Sequence, residues 1–330
     1  TSYLQNRKLQ AVVGGQTSTP STIRSGVPQG SILGPTLFLV YINDAEDQLP
    51  ASVSIAVYAD DTTLYTSVMP GQTTEAAAAA LQTAVNQLEA WGSTWRVTFE
   101  PSKSQLMSVT RKLAPLDFPP VQFLGTPVPV SSQLKLLGVV FDEKLNFSAH
   151  LHQLSVRAHQ RLHFMRKAAP ILDAAGRLTV YKGFVRPILE YAPLAWLGAA
   201  QTHLGKLDTA QRKAMQMIGP TTVLQSLRAR RTVAGLSYLY KVVNCKGPPR
   251  LTRMRPPPKP RADTVRTRQQ HYAQRQHREQ LLNTTPGTSP DYLRRSFPYC
   301  FLELWNSLPE DVFPRLANHS PLTALKKGVN

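Results

Sequence analysis

The sequence predicts an α+β chain in which antiparallel hairpins come first and amphipathic helices follow. In roughly the first 145 positions, short apolar runs alternate and are broken by turn residues, and from residue 148 apolar residues recur at spacings of three and four. A third observation bounds these halves: after residue 245 the chain turns basic and Pro-rich, then ends in an aromatic stretch.

At 330 residues and 42% hydrophobic content, the chain can bury a core and has room for two or three domains. Cys245 and Cys300 are the only cysteines and lack Cys-x-x-Cys spacing, which excludes a zinc knuckle and a disulfide framework and makes a reducing compartment the default. No apolar run approaches a membrane span and no signal peptide opens the chain, so no membrane partner is expected.

The first element is a loop at residues 25–35, where Gly26, Gly30 and Gly34 allow close backbone approach to a substrate. Pro28 and Pro35 stiffen the loop and start the helix that the apolar run at 36–44 continues. Next come apolar runs at 53–57 and 62–65, read as strand, tight turn, strand, with Asp60 and Asp61 at the turn. A hairpin tip presents charge rather than burying it, and paired carboxylates on a rigid scaffold suit two Mg²⁺ ions in phosphoryl or nucleotidyl transfer. Taken alone, the pair reads first as an ordinary turn whose side chains cap backbone N–H groups.

Residues 74–91 place Leu81, Val85, Leu88 and Trp91 on one helical face, and Gly92 is the expected stop. Residues 134–142 read as a strand ending in a turn. Ser148 is the expected N-cap of a helix with Leu151, Leu154, Ala158, Leu162 and Met165 inside and Arg157, Arg161, Arg166 and Lys167 outside. Further helices are expected at 177–190 and 204–218. His159 and His163 are four apart, but without an acid or Cys nearby a solvated or phosphate-facing role is the expectation.

The charge is uneven. Of a net +18, residues 246–278 contribute ten Lys or Arg against the single acid Asp263. With Pro248, Pro249, Pro256, Pro257, Pro258 and Pro260, this reads as an extended linker followed by a short polar helix. It is either a phosphate-binding arm, with Arg250, Arg253 and Arg255 among its contacts, or a solvated linker. Residues 296–309 are too aromatic to stay in water and are expected to dock on the preceding parts.

Together, the Gly26 to Gly34 loop and the Tyr58-Ala59-Asp60-Asp61 turn resemble the middle of a reverse transcriptase palm of the jockey group of non-LTR retrotransposons. The resemblance implies a right-hand polymerase fold. A partial palm, an antiparallel sheet with helices on one face, spans 1–145 and a helical thumb 146–245, before the basic linker at 246–285 and a small docked tail at 286–330. It implies RNA-directed DNA polymerase activity with Mg²⁺ or Mn²⁺, an RNA template, a DNA primer, deoxynucleoside triphosphates and a nuclear location.

By the same resemblance Asp60 and Asp61 are metal ligands, and Gly26, Pro28, Gln29 and Gly30 meet the nucleotide and template. Lys103, in the stretch Glu100-Pro101-Ser102-Lys103 where relatives carry Asn before the lysine, acts on the nucleotide's phosphates. Leu136, Leu137 and Gly138 form the primer grip, and Arg157 and Arg161 face the duplex. The family needs one more aspartate from an earlier strand, and residues 1–25 contain neither Asp nor Glu. This chain is therefore expected to lack the fingers and the first catalytic motif, the N-terminal part of the polyprotein. It is expected to be inactive alone, the alternative being a non-catalytic binder of RNA or RNA:DNA duplex.

Overall fold

Short strands joined by two-residue turns build the first part of the chain, and long amphipathic helices build the second. The computed structural model describes residues 2–69, 71–112, 116–220, 224–258, 282 and 296–308. Most of the basic stretch, 259–281, and the end of the tail, 309–330, lie outside the described residues. The chain divides into two compact units, Thr1–Ser131 and Ser132–Asn330. By this division the 134–142 segment groups with the helices that follow it.

In the first unit β1 (Arg7–Leu9) pairs with β4 (Ser21–Ile23) and encloses the small hairpin of β2 (Val12–Val13) and β3 (Gln16–Thr17). That hairpin turns at Gly14 and Gly15, both with positive φ, which glycine adopts without strain. The helix α1 (Gly34–Ile42) follows, with Pro35 in its first turn. Then come β5 (Val53–Tyr58) and β6 (Asp61–Thr66), the long α2 (Thr74–Trp95), and the hairpin of β7 (Gln122–Phe123) and β8 (Thr126–Pro127).

The α2 helix packs against both β5 and β6. Its Leu88 and Trp91 form a core with Ala45, flanked by Ile42, Val97 and Phe99. The Trp91 indole Nε1 donates to Asp44 Oδ1 at 2.8 Å, so the one polar atom of that buried ring is satisfied. Among the described residues every strand ladder is a two-stranded antiparallel pair, with Leu106 and Val130 an isolated parallel bridge, so the expected sheet is present as separate pairs rather than one surface.

Gly92 does not stop α2. The helix runs on to Trp95 and ends where Arg96 turns left-handed at φ +59°. A Cβ at Gly92 would lie 2.5 Å from the Phe99 ring, so this glycine makes room for the returning chain instead of breaking the helix.

The second unit opens with β9 (Gln133–Leu136) and β10 (Val139–Asp142), followed by α3 (Ser148–Ala168). Ser148 is not the cap. Phe147 occupies that position at φ +56°, and the Asp142 carboxylate accepts from the N–H groups of Lys144, Asn146 and Phe147 at 3.2, 2.9 and 2.6 Å. The expected inner face holds: Leu151, Leu154, Ala158, Leu162 and Met165 are buried.

The helix expected at 177–190 begins earlier, at α4 (Ala174–Val180), where Asp173 caps Gly176 N at 2.7 Å. It passes through a π turn at Tyr181–Val185 into α5 (Arg186–Leu189). Pro187 explains the wide turn, since it has no N–H to donate and its ring would clash with the carbonyl four residues back. Next are α6 (Gln201–Ile218), α7 (Leu227–Val243) and the short α8 (Pro249–Thr252). The core of this unit runs from Val139 and Leu151 through Tyr181 and Trp196 to Leu227.

Residues 296–308, with α9 (Leu302–Asn306), pack on α7 through Phe301, Leu302, Trp305 and Leu308. Gly235 is the notch: a Cβ there would sit 1.8 Å from Phe301 Cζ. Asn306 spans the backbone of Leu282 in both directions, accepting from its N–H at 3.0 Å and donating to its carbonyl at 2.8 Å. Cys245 and Cys300 are both free thiols. Among the described residues no helix is long and apolar enough to cross a membrane.

Candidate active site and nucleic-acid interface

The register of β5 with β6 runs from Val53 opposite Thr66 to Tyr58 opposite Asp61, leaving Ala59 and Asp60 as a two-residue turn. Val53 and Ile55 are buried at the base and fix which face points inward, while Tyr58, Ala59, Asp60 and Asp61 at the tip are all exposed. Among the described residues neither carboxylate has an ion-pair or hydrogen-bond partner. Ala59 holds φ +53°, a conformation costing a non-glycine residue about 1 kcal/mol. The turns Gly14-Gly15, Leu124-Gly125 and Leu137-Gly138 all use glycine at the second position, and only this one does without.

The 25–35 loop is held in place by residues that precede it. Arg7 Nη2 donates to the carbonyls of Ser25 and Gly26 at 3.3 and 2.7 Å. Ser31 Oγ donates to the Pro28 carbonyl at 2.7 Å and accepts from Gly34 N at 3.1 Å, and the Tyr3 hydroxyl bonds the same Oγ. Gly26 and Gly30 sit at φ +74° and +81° with open space where a Cβ would be. Gly34 is glycine for a different reason, since a Cβ would lie 2.9 Å from Ser31 Oγ and 3.2 Å from the Pro28 carbonyl. The result is a braced arch with Gln29 exposed at its top.

Lys103 ends a 3₁₀ turn (Pro101–Lys103) and is exposed. Glu100, in place of the expected Asn, takes the capping role: its Oε1 accepts from Ser102 Oγ at 2.7 Å. That bond, foremost, with a smaller contribution from Lys103, holds the Glu100 carboxyl below the usual carboxylate range.

In the second unit Leu136, Leu137 and Gly138 form the tip of the β9–β10 hairpin, with Leu137 exposed. Arg157 and Arg161 project from the outer face of α3, and the Arg161 guanidinium lies 4.1 Å over the Phe184 ring. Arg250, Arg253 and Arg255 are exposed on and after α8. His159 is engaged on its own helix, with Nδ1 2.8 Å from the Ser155 carbonyl.

The structure therefore places Gly26, Pro28, Gln29, Gly30, Asp60, Asp61 and Lys103 in the first unit and the other candidate residues in the second. Among the described residues no three His, Cys, Asp or Glu side chains converge as a metal-binding group. Tyr3 and Arg7, which brace the loop, and Asp142, His150 and Tyr191, which hold the β9–β10 hairpin, were not singled out in the sequence. Their partners lie up to 54 positions away, and no local pattern marks them.

Residues 1–141 match the family model of the reverse transcriptase, an RNA-dependent DNA polymerase. The chain is 30% identical over 226 residues to the probable RNA-directed DNA polymerase from transposon BS of Drosophila melanogaster, covering 66% of this chain and 25% of that protein. It is 29% identical over 226 residues to the RNA-directed DNA polymerase from mobile element jockey of the same species, covering 66% and 24%. A weaker match, 23% over 230 residues, covers 68% of this chain and 22% of a putative 115 kDa protein in the type-1 retrotransposable element R1DM of Drosophila melanogaster. The chain spans about a quarter of the length of the first of these relatives.

Proposed function

We propose, from the match of residues 1–141 to the reverse transcriptase family model and the similarity to RNA-directed DNA polymerases of Drosophila mobile elements, that this chain carries the palm, primer grip and thumb of an RNA-directed DNA polymerase. The observation that carries the reading is the exposed Asp60–Asp61 tip, unpaired among the described residues, on a hairpin braced by α2. Two hard carboxylate oxygen sets open to solvent fit an oxygen-seeking divalent cation.

Asp60 is the principal metal ligand and Asp61 assists it. Mg²⁺ or Mn²⁺, when bound, would lower the pKa of a primer 3′-hydroxyl and neutralise charge on the nucleotide's phosphates. The arch of Gly26, Pro28, Gln29 and Gly30 receives the incoming deoxynucleotide against the RNA template, with Gln29 as its polar contact. Lys103 meets the phosphates, and Leu136, Leu137 and Gly138 hold the primer end. Arg157, Arg161, Arg250, Arg253 and Arg255 contact the phosphates of the nucleic-acid backbone through their guanidinium N–H groups.

A second reading is a duplex binder without catalysis. It is supported by the absence, among the described residues, of any third carboxylate, His or Cys beside the acid pair.

A primer-extension assay separates the two. Residues 1–330 alone are expected to bind a primer–template duplex and extend nothing. Joined to the preceding segment of a close relative they are expected to extend it, and Asp60→Asn in that fusion to abolish extension. Extension by the unfused chain that survives Asp60→Asn would overturn the assignment. A fusion that binds duplex but never extends it would leave the non-catalytic reading.

A further inference from the structure

The β9–β10 hairpin is fastened to the helices at its tip, middle and base. At the base, Asp142 accepts the three N–H groups that lead into α3. At the middle, Val140 N donates to His150 Nδ1 at 3.3 Å, with His150 buried at 1% exposure and its Nε2 unpartnered among the described residues. At the tip, the Tyr191 hydroxyl donates to the Leu137 carbonyl at 2.7 Å.

The tip contact is the informative one. A Cβ at Gly138 would lie 3.2 Å from the Tyr191 hydroxyl oxygen and 3.3 Å from ring Cε1, so the ring covers the bare face of the glycine. Tyr191 is itself set firmly. Its carbonyl accepts from the Trp196 indole at 3.0 Å, and Trp196 is fully buried. The neighbouring Glu190 is gripped by two guanidinium nitrogens of Arg230, Nε and Nη2, the latter at 2.8 Å. A turn whose carbonyl and glycine face are both engaged cannot twist without the segment after α5 moving with it.

We propose that Tyr191 is a positioning residue: through the Leu137 carbonyl it locks the tip of the primer grip to the helical unit, so that the primer terminus is held in the frame of the thumb. This rests on the assignment of Leu136, Leu137 and Gly138 as the primer grip. Tyr191 touches the hairpin and not the reacting atoms, so its effect is on where the last primer base sits. Overall duplex affinity, which comes from the cationic surface, is left alone.

The test uses the full chain and Tyr191→Phe, which removes only the hydroxyl. Both are bound to a primer–template duplex carrying 2-aminopurine as the 3′-terminal primer base. The expected result is a clear fluorescence change at that base with the wild-type chain, reduced to about half or less in Tyr191→Phe, while duplex affinity stays within about twofold and amide exchange at residues 137–140 becomes about tenfold faster. A terminal-base signal unchanged by the substitution would overturn the positioning role while leaving the primer-grip assignment standing. A wild-type chain that binds duplex with no response at the terminal base would overturn the primer-grip assignment itself, and the proposal with it.

Discussion

The β5–β6 and β9–β10 hairpins are built alike and finished oppositely. Each is an antiparallel pair closed by a two-residue turn. One turn is Ala59-Asp60, exposed and without a side-chain partner among the described residues. The other is Leu137-Gly138, covered by Tyr191, with His150 and Asp142 fastening the strands behind it. The difference suits the proposed function, in which the acid pair keeps its lone pairs free for a metal ion and the primer grip keeps its backbone still. The acids of the two hairpins make the contrast plain: Asp142 spends its oxygens on three backbone N–H groups, and Asp60 and Asp61 spend theirs on none among the described residues.

The sharpest way to break this comparison is to remove the acids. Asp142→Ala leaves three N–H groups at the start of α3 without their acceptor and is expected to cost about 2 kcal/mol of stability. Asp60→Ala and Asp61→Ala are expected to stay within about 0.5 kcal/mol, because no described residue bonds their carboxylates. Denaturant melts of the three variants check this, and equal losses would erase the distinction.

The turns themselves come next. Gly138→Ala forces a side chain into φ +79° and against the Tyr191 ring, at an expected cost of about 1–2 kcal/mol. Ala59→Gly relieves φ +53° and is expected to gain about 0.5 kcal/mol once the extra freedom of the unfolded chain is counted. Opposite signs in the two melts support the account, and a destabilised Ala59→Gly would contradict it.

The smallest effect is a pH dependence confined to the fastened hairpin. Burial, and secondarily the Arg157 charge, push the His150 imidazole below its ordinary 6.5. Only the neutral ring can accept from Val140 N–H. Above pH 6.5 the imidazole is neutral folded or unfolded and its contribution is intact. As the pH falls below that, the unfolded chain takes up the proton first, and stability is lost down through the folded value. Thermal melts from about pH 8 to about pH 5 should show this slope, and it should flatten in His150→Gln.

How much of this was legible depended on how local the cause is. The inner face of α3 could be read because Leu151, Leu154, Ala158, Leu162 and Met165 repeat at helical spacing. The acidic turn could be read because its flanking strands alternate. Gly92 was misread because a glycine after an apolar face looks the same whether it ends a helix or admits the Phe99 ring. Ser148 was misread because the Asp142 carboxylate reaches the same N–H groups from outside the helix. Helix α7 was not assigned, although Ser226 caps it at Ala229 N, because its start is a run of arginines and its face is covered by residues 296–308 far along the chain. The hairpins at Gly14-Gly15 and Leu124-Gly125 carried a turn signal that could have been used.

The claim on which everything else depends is that Asp60 and Asp61 are held open for a divalent cation. It is tested most directly by titrating Mn²⁺ into the full chain and into Asp60→Asn and following the free ion by its paramagnetic signal. With two carboxylates from the protein and no third among the described residues, the wild-type chain is expected to bind in about the millimolar range, a standard free energy of roughly −4 kcal/mol. Asp60→Asn is expected to lose that binding. Wild-type binding that Asp60→Asn leaves unchanged would place the metal elsewhere and contradict the account.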